Sequence, residues 1–261
     1  MTSKGKRLET IDTIRGITMI SMIIYHLCWD LKFIKGFSMP WYGTFGTYLW
    51  QQSICWTFII ISGFCMHFAR QPLRNGAIVF LCGFIVTCIT LLALPESPVY
   101  FGVLTMLGSS MLFLGCYLHF FRSEKFSLNI KIEPLLGLVI FTLLFAATKS
   151  INSGYLSLGA LKIGLPESLY TGGQSDGLSN MHLTYLGFMQ NGFYSSDYFS
   201  LMPWFFLFMV GYFLYGLLEK YFETGIFHVD IKPLSWLGKH SLIVYMIHQP
   251  ILYGVTMLIG K

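Results

Sequence analysis

The fold is decided by an apolar stretch that also carries charged residues, RLETIDTIRGITMISMIIYHLCWDL at residues 7–31. A membrane-spanning helix needs about 20 predominantly apolar residues, and this stretch supplies them. Similar stretches recur along the whole chain of 261 residues, of which 54% are hydrophobic and only 11% are charged. A soluble domain carries about 25% charged residues. The composition therefore excludes a soluble enzyme, a disordered protein and a nucleic-acid-binding domain, and it indicates a polytopic membrane protein.

The apolar stretches predict an all-α transmembrane helix bundle that forms a single domain over residues 1–261. The seven predicted spans are 14–33, 45–68, 77–94, 99–121, 135–147, 201–218 and 236–259. Two weaker patches, 154–165 and 182–189, would raise the count to eight or nine if they insert as half-helices or interfacial helices. No cleavage signal follows the first apolar stretch, so it is expected to be a retained helix. The six cysteines all lie in apolar stretches and are expected to be packing residues.

The distribution of Lys and Arg predicts that the N-terminus faces the cytoplasm. This orientation puts eleven basic residues on the cytoplasmic side and five on the outer side. The cytoplasmic set is Lys4, Lys6, Arg7, Arg70, Arg74, Arg122, Lys125, Lys131, Lys220, Lys232 and Lys239. The outer set is Lys32, Lys35, Lys149, Lys162 and Lys261. The expected location is a cell membrane.

The first span contains four polar residues, Asp12, Arg15, His26 and Asp30. A charged group well inside a bilayer costs about 2.5–3.5 kcal/mol on insertion scales, and such groups usually face a bundle interior or a watery cavity. Arg15 and His26 are eleven residues apart, which is close to three helical turns, or about 16 Å along the axis. All four are therefore expected to share one face, with Arg15 near the cytoplasmic end and His26 past the midplane.

This arrangement suits chemistry on a cytosolic anion. Arg15 is a fixed cation and His26 is a titratable base. Asp30 is expected to accept the second ring N–H of His26, as a carboxylate does in a catalytic triad. A structural interpretation stays open, in which Asp12 and Arg15 form an ion pair at the helix start and His26 and Asp30 form a buried hydrogen bond that ties helices together.

The last span carries a second polar stripe. Ser241, Tyr245 and His248 follow i, i+4, i+7 spacing, which puts them on one helix face. His248 is expected near mid-membrane and facing the first helix. The alternative is a hydrogen-bonded packing histidine beside a proline kink at Pro250.

Four stretches resemble the heparan-α-glucosaminide N-acetyltransferase catalytic-domain family in its short bacterial form. They are the opening stretch at 7–31, YFGVLTMLGSSMLFLG at 100–115, GFYSSDYFSLMPWFFLFMVGYFLYG at 192–216, and LGKHSLIVYMIHQPIL at 237–252. The first helix is also similar to that of the acyltransferase-3 membrane O-acyltransferases, which place a histidine eleven residues after an arginine. The resemblance implies a membrane acyltransferase that moves an acyl group, commonly acetyl, from cytosolic acyl-CoA to a sugar hydroxyl or amine. By motif, Arg15 matches the arginine linked to donor binding and His26 matches the proposed catalytic histidine.

The predicted site combines the polar residues of the first and last spans with the residues that the family resemblance implies. Its catalytic residues are His26 and Asp30. Its donor-binding residues are Arg15, Asp12, Arg70 and Arg74, and its acceptor-binding residues are Asp197, Tyr198, His248, Tyr245 and Trp41. The pantetheine arm of the donor is expected to run from Arg15 to His26 past Met19 and Met22. Asp197 is equally open to interpretation as a helix N-cap.

The expected co-substrate is acetyl-CoA or another acyl-CoA, without a metal or haem. The expected partners are a sugar or glycan acceptor and membrane lipids, and a homodimer is left open. Direct attack by the acceptor is favoured over an acyl-enzyme, because Cys28 and His26 point to different faces. Two alternatives remain: a proton-coupled transporter or flippase with Arg15, His26 and Asp30 as a relay, and a haem protein with His26 and His248 as axial ligands.

Overall fold

A computed structural model describes residues 8–120, 132–171, 180–222 and 225–259. Its α-helices, in chain order, are α1 (Glu9–Phe33), α2 (Phe45–Cys65), α3 (Pro72–Ala93), α4 (Val103–Phe120), α5 (Pro134–Thr148), α6 (Met181–Leu186), α7 (Leu201–Leu218), α8 (Lys232–Lys239) and α9 (Ser241–Leu258). Two strands, β1 (Tyr155–Leu158) and β2 (Leu161–Gly164), form an antiparallel hairpin in which Leu156 pairs with Ile163.

Seven of the described helices are long and apolar enough to cross a membrane, which confirms the predicted all-α polytopic bundle. Their outward side chains are apolar, and the exposed fraction reaches 87% for Leu92 on α3 and 88% for Leu258 on α9. A water-soluble monomer rarely exposes large continuous apolar surfaces. The hydrocarbon core of a bilayer is the solvent that suits such surfaces, so the chain is a multi-pass membrane protein.

The structure corrects several predicted boundaries. The patch 154–165 forms the β-hairpin and not a half-helix, and the patch 182–189 contains only the six-residue helix α6. The last predicted span, 236–259, is split at His240 into α8 and α9. Seven of the basic residues used to predict the orientation lie outside the described residues, so the cytoplasmic N-terminus stays a prediction. They are Lys4, Lys6, Arg7, Arg122, Lys125, Lys131 and Lys261.

The chain divides into two compact units. The first unit comprises the described parts of Met1–Ile61 and Leu218–Lys261, which contain α1, most of α2, α8 and α9. The second unit, Ser62–Leu217, contains α3 to α7 and the hairpin. In the second unit α3 and α4 pack antiparallel, with Gly83 against Thr105 and Phe80 against Gly108. The predicted single domain is not tested by this division and stays a prediction.

In the first unit α1 and α8 approach until their backbones touch. A Cβ atom added at Gly16 would lie 2.0 Å from the carbonyl oxygen of Leu234, and one added at Gly238 would lie 1.9 Å from that of Asp12. These distances are shorter than any van der Waals contact, so each position requires glycine. This contact fixes α8 against the polar face of α1.

Two threonine hydroxyl groups of α1 bind the segment that precedes α8. The Thr10 hydroxyl accepts a hydrogen bond from the N–H of Val229 at 3.0 Å. The Thr13 hydroxyl donates to the Val229 carbonyl at 3.2 Å and accepts from the N–H of Ile231 at 3.4 Å. The start of the first helix and the start of the last helical pair are therefore joined by polar contacts as well as by apolar packing.

Candidate active site

The polar residues of α1 lie on its buried face, as predicted. Asp12, Met19, Met22 and Asp30 are all buried. The Arg15 guanidinium lies 3.6 Å from the Asp12 carboxylate, and its side chain is 19% exposed. The predicted helix face is therefore confirmed, and so is the ion pair that the structural interpretation of Asp12 and Arg15 requires.

The predicted donor path along this face is wrong. Met19 and Met22 form an apolar cluster with Ile54, against which Leu237 and Val244 pack. Methionine is unbranched and fills irregular gaps, so these two side chains close the space that the pantetheine arm was expected to occupy. The buried face of α1 between Arg15 and His26 is therefore packed core.

Four polar side chains from α1 and α9 meet in the first unit, and we call them the α1–α9 polar cluster: His26, Asp30, His248 and Gln249. The ring centres of His26 and His248 lie 5.1 Å apart. The Gln249 side-chain amide donates a hydrogen bond of 3.0 Å to Oδ1 of Asp30. The predicted orientation of His248 toward the first helix is thus confirmed.

The predicted hydrogen bond between His26 and Asp30 is wrong. Asp30 is completely buried, and its Oδ1 is occupied by Gln249. Its other oxygen, Oδ2, has no hydrogen-bond partner. The two residues are four apart on one helix, but the His26 ring lies against His248 and Tyr25. Asp30 therefore does not orient the imidazole of His26.

His248 has a well-defined hydrogen-bonding state. Its Nδ1 lies 2.6 Å from the backbone carbonyl oxygen of Tyr245, one turn earlier in α9. A carbonyl oxygen can only accept, so Nδ1 must carry the proton and donate it. In the neutral ring Nε2 then holds a lone pair, and this atom is buried without a partner. The Tyr245 ring, predicted to bind acceptor, lies 5.3 Å from the His248 ring and packs on the methionine cluster.

The α1–α9 polar cluster contains three buried polar atoms without a protein partner: Asp30 Oδ2, His248 Nε2 and Gln249 Oε1. Most buried polar atoms in proteins are hydrogen-bonded, so each exception requires an explanation such as a ligand or water. All three are hydrogen-bond acceptors when His248 is neutral and Asp30 is ionised. Together they suit a ligand that carries several O–H or N–H donors.

Gln249 has no role in the predicted site. Its signal in the sequence is a second polar residue next to His248 inside an apolar span, where polar groups are costly.

An aromatic group extends from the polar cluster to the surface. Tyr25 contacts the His26 ring at 5.8 Å and the Tyr42 ring at 5.4 Å. Tyr42 in turn contacts Trp41 at 5.7 Å, and Trp41 is half exposed. Burial raises the pKa of Tyr42, so its hydroxyl stays protonated, and it donates to the Tyr25 carbonyl at 3.4 Å. The Lys32 ammonium donates hydrogen bonds to the carbonyls of Tyr42 and Met39, and these bonds fix the loop between α1 and α2.

Arg70 and Arg74, predicted to bind the donor, lie in the second unit. They line a cavity of about 430 Å³ at one end of α3 and α4, together with His119 and Gly115. Arg74 donates to the Gln71 side chain at 3.2 Å. Two guanidinium groups and an imidazole make this cavity suitable for an anion.

Asp197 and Tyr198, predicted to bind acceptor, hold the second unit together. Oδ2 of Asp197 lies 3.5 Å from the N–H of Val103, the first residue of α4. The Tyr198 hydroxyl donates to the Thr184 carbonyl at 2.5 Å. The capping interpretation of Asp197 therefore has support, but at the start of α4 and not of the helix that follows it in sequence.

These features define a polytopic membrane protein with a buried cluster of ionisable residues inside its spanning helices. Residues 7–250 match the family described as heparan-alpha-glucosaminide N-acetyltransferase, catalytic. The chain belongs to this family, as the resemblance implied, and it is a membrane enzyme of the acetyltransferase type. Comparison with curated proteins and with solved structures gives no match. Among the described residues, no group of three or more His, Cys, Asp or Glu is arranged to hold a metal ion.

Proposed function

We propose that this enzyme transfers an acetyl group from acetyl-CoA to a hydroxyl or amine of a sugar, with the α1–α9 polar cluster as its active site. The observation that carries the proposal is the contact between His26 and His248 beside three buried polar atoms without partners. Ionisable groups inside a bundle are costly and mark functional sites. The family supplies the reaction class. The expected location is the bacterial plasma membrane, and a homodimer stays a prediction.

In the proposed reaction His26 acts as the general base. The acceptor gives a proton to His26 while its oxygen or nitrogen forms a bond to the acetyl carbonyl carbon. The carbon–sulfur bond of the thioester breaks, and His26 returns the proton to the departing CoA sulfur. A base within hydrogen-bond reach contributes about 10²–10⁴-fold to the rate. Direct transfer needs no acyl-enzyme intermediate.

The acceptor binds through the unpartnered oxygens. Sugar hydroxyl and amino groups donate hydrogen bonds, and Asp30 Oδ2 and Gln249 Oε1 accept them. Asp30 thus binds the acceptor in place of its predicted role on His26. Trp41, half exposed at the end of the aromatic group, offers an apolar ring face for the sugar. Asp197, Tyr198 and Tyr245 stay predicted acceptor residues.

The donor's phosphates bind to arginine. Arg15, paired with Asp12 at 3.6 Å, is the candidate in the unit that contains the polar cluster. Arg70 and Arg74, which line the 430 Å³ cavity of the second unit, stay predicted donor residues, because guanidinium groups suit bidentate binding of phosphate oxygens. Another acyl-CoA stays a predicted alternative to acetyl-CoA as the donor.

A proton-coupled transporter or flippase is the second candidate function. The buried His26, His248 and Asp30 favour it, since such residues build proton relays in membranes. The haem alternative is disfavoured by geometry, because a porphyrin fits between His26 and His248 only if the two rings move apart from their present contact.

The test measures release of free CoA thiol by the purified protein in lipid nanodiscs. Acetyl-CoA is supplied with a panel of sugars and amino sugars, and the acetylated product is identified by mass spectrometry. We expect acceptor-dependent thiol release, its loss in His26→Ala, and its retention in the control His182→Ala, whose histidine is exposed on α6. If no acceptor in the panel supports thiol release by the folded protein, the transporter becomes the better assignment. Wild-type turnover by His26→Ala would remove His26 from the mechanism.

A further inference from the structure

The hydrogen bonding of His248 gives this residue a part in the proposed reaction that differs from the predicted binding of the sugar acceptor. We propose that His248 is a positioning residue for His26: its Nε2 accepts the second ring N–H of His26, fixes the reactive tautomer, and stabilises the imidazolium that forms during transfer. The inference rests on the proposed function of His26 as base. It gives to a neutral imidazole the role that the sequence pattern assigned to Asp30.

The first argument is the tautomer of His248. The Tyr245 carbonyl holds the proton on Nδ1, which leaves Nε2 as a hydrogen-bond acceptor. A histidine whose ring nitrogens were both unconstrained could exchange donor and acceptor roles, and it would fix nothing in a neighbour. The backbone of α9 therefore makes His248 an acceptor at one defined atom.

The second argument is position. The ring centres of His248 and His26 lie 5.1 Å apart with an angle of 60° between their planes. The two rings are therefore in contact, and the proposed bond requires a ring N–H of His26 to turn toward Nε2 within this contact. That atom is buried and has no hydrogen-bond partner in the protein, so its lone pair is available to a ring N–H of His26.

The third argument is elimination of the other candidates. Tyr25 and Asp30 on α1 and Gln249 on α9 also lie in or beside the cluster. Asp30 Oδ2 and Gln249 Oε1 also accept hydrogen bonds and lack a protein partner, but the proposed reaction uses both atoms to bind the sugar. Among the described residues around His26, His248 is therefore the hydrogen-bond acceptor whose ring contacts the His26 ring.

During the reaction the proton that His26 takes from the acceptor leaves the imidazole with two N–H groups. One faces the departing sulfur, and the other donates to Nε2 of His248. His26 then gives its new proton to the CoA sulfur and returns to the neutral form. His248 keeps its own Nδ1 proton throughout, so it acts through His26 and touches neither substrate.

The first experiment needs no turnover. Protein labelled with ¹⁵N-histidine is measured in lipid by solid-state NMR, and His248→Gln identifies the signals of residue 248. We expect His248 as the Nδ1–H tautomer with an unprotonated Nε2. An Nε2–H tautomer would overturn the inference whether or not the protein is an acetyltransferase.

The second experiment separates kcat from KM. We expect His248→Leu to lower kcat by about 10²-fold, the lower end of a general base contribution, with the KM for acetyl-CoA unchanged. His248→Gln offers a side-chain oxygen as acceptor near the Nε2 position and should recover part of this loss. The control is His240→Gln, because His240 also donates from Nδ1 to a carbonyl one turn earlier, that of Trp236 at 2.8 Å, but is exposed.

The outcomes are distinct. If wild-type protein releases no thiol, the proposed function fails, and the NMR result alone decides the tautomer. If wild type is active, His26→Ala is inactive and His248→Leu keeps full kcat, the inference fails and the proposed function stands. If His248→Leu and His248→Gln lose activity equally while both remain folded, the proposed role of His248 as hydrogen-bond acceptor for His26 is also refuted.

Discussion

The hydrogen bond between Gln249 and Asp30 predicts a specific pattern of stability and activity in a double-mutant cycle. Asp30→Leu leaves the buried amide of Gln249 without its acceptor, and Gln249→Leu leaves both oxygens of Asp30 without a donor. Stranding a buried polar group costs about 1–3 kcal/mol, so each single change should lower the free energy of unfolding by that amount. The double variant removes both groups and should be more stable than the sum of the single effects predicts.

The size of this coupling follows from the environment of the bond. Side-chain hydrogen bonds inside membranes average about 0.6 kcal/mol, with a maximum of about 1.7 kcal/mol. Asp30 is completely buried, so its bond to Gln249 should lie at the upper end of this range. We therefore expect a coupling energy of about 1–1.7 kcal/mol, measured by equilibrium unfolding in mixed micelles.

Activity in the same variants separates structure from chemistry. If Asp30 Oδ2 binds the acceptor, the double variant recovers stability but not acetyl transfer. A coupling energy below about 0.3 kcal/mol, the level at which independent sites add, would refute the hydrogen bond. Recovery of both stability and transfer would show that Asp30 has only a structural role.

Three other predictions follow from contacts described above. Gly238→Ala should lower the melting temperature, because overpacking costs about 1–3 kcal/mol. The control Gly254→Ala, with open space around the new Cβ, should leave the melting temperature within about a degree or two of wild type. Equal melting temperatures of the two variants would contradict the α1–α8 contact. Arg70→Gln and Arg74→Gln should each raise the KM for acetyl-CoA about tenfold with kcat unchanged, since charged hydrogen bonds contribute about 1.5–3 kcal/mol. An unchanged KM would exclude the cavity lined by these two arginines as the phosphate site. Trp41→Ala should raise the KM of the acceptor several-fold while Trp41→Phe has a smaller effect, and a change confined to the KM for acetyl-CoA would place Trp41 on the donor side.

Much of the fold follows from the spacing of apolar residues. The seven spans and the buried face of α1 were predictable because hydrophobic length and helical periodicity act locally. The hairpin at 155–164 was not, because a short apolar run does not distinguish a strand from a helix segment. The break at His240 was not predicted either, although the polar run of Gly238, Lys239, His240 and Ser241 marks it in the sequence.

The sequence predicted which residues of α1 and α9 form the site, but not which of their side chains contact each other. The polar residues of α1 and α9 identify themselves by their cost in a bilayer, and helical spacing places His26 and His248 on inward faces. Which atom bonds to which depends on the relative rotation of two helices distant in sequence. In the structure Asp30 accepts a hydrogen bond from Gln249, and the His26 ring contacts the His248 ring. The same tertiary packing filled the expected donor path with Met19 and Met22.

The pairing of α1 with α9 has a consequence for how the protein is made. Asp30 and Gln249 are separated by 219 residues. At a synthesis rate of about 5–20 residues per second, α1 waits roughly 10–45 s in the translocon or the bilayer before its partner leaves the ribosome. During that interval the Asp30 carboxylate lacks the Gln249 amide, and Thr10 and Thr13 lack the backbone groups of Val229 and Ile231. These polar contacts of the first helix therefore form late, so ribosome stalling before α8 should leave a nascent chain that membrane proteases recognise.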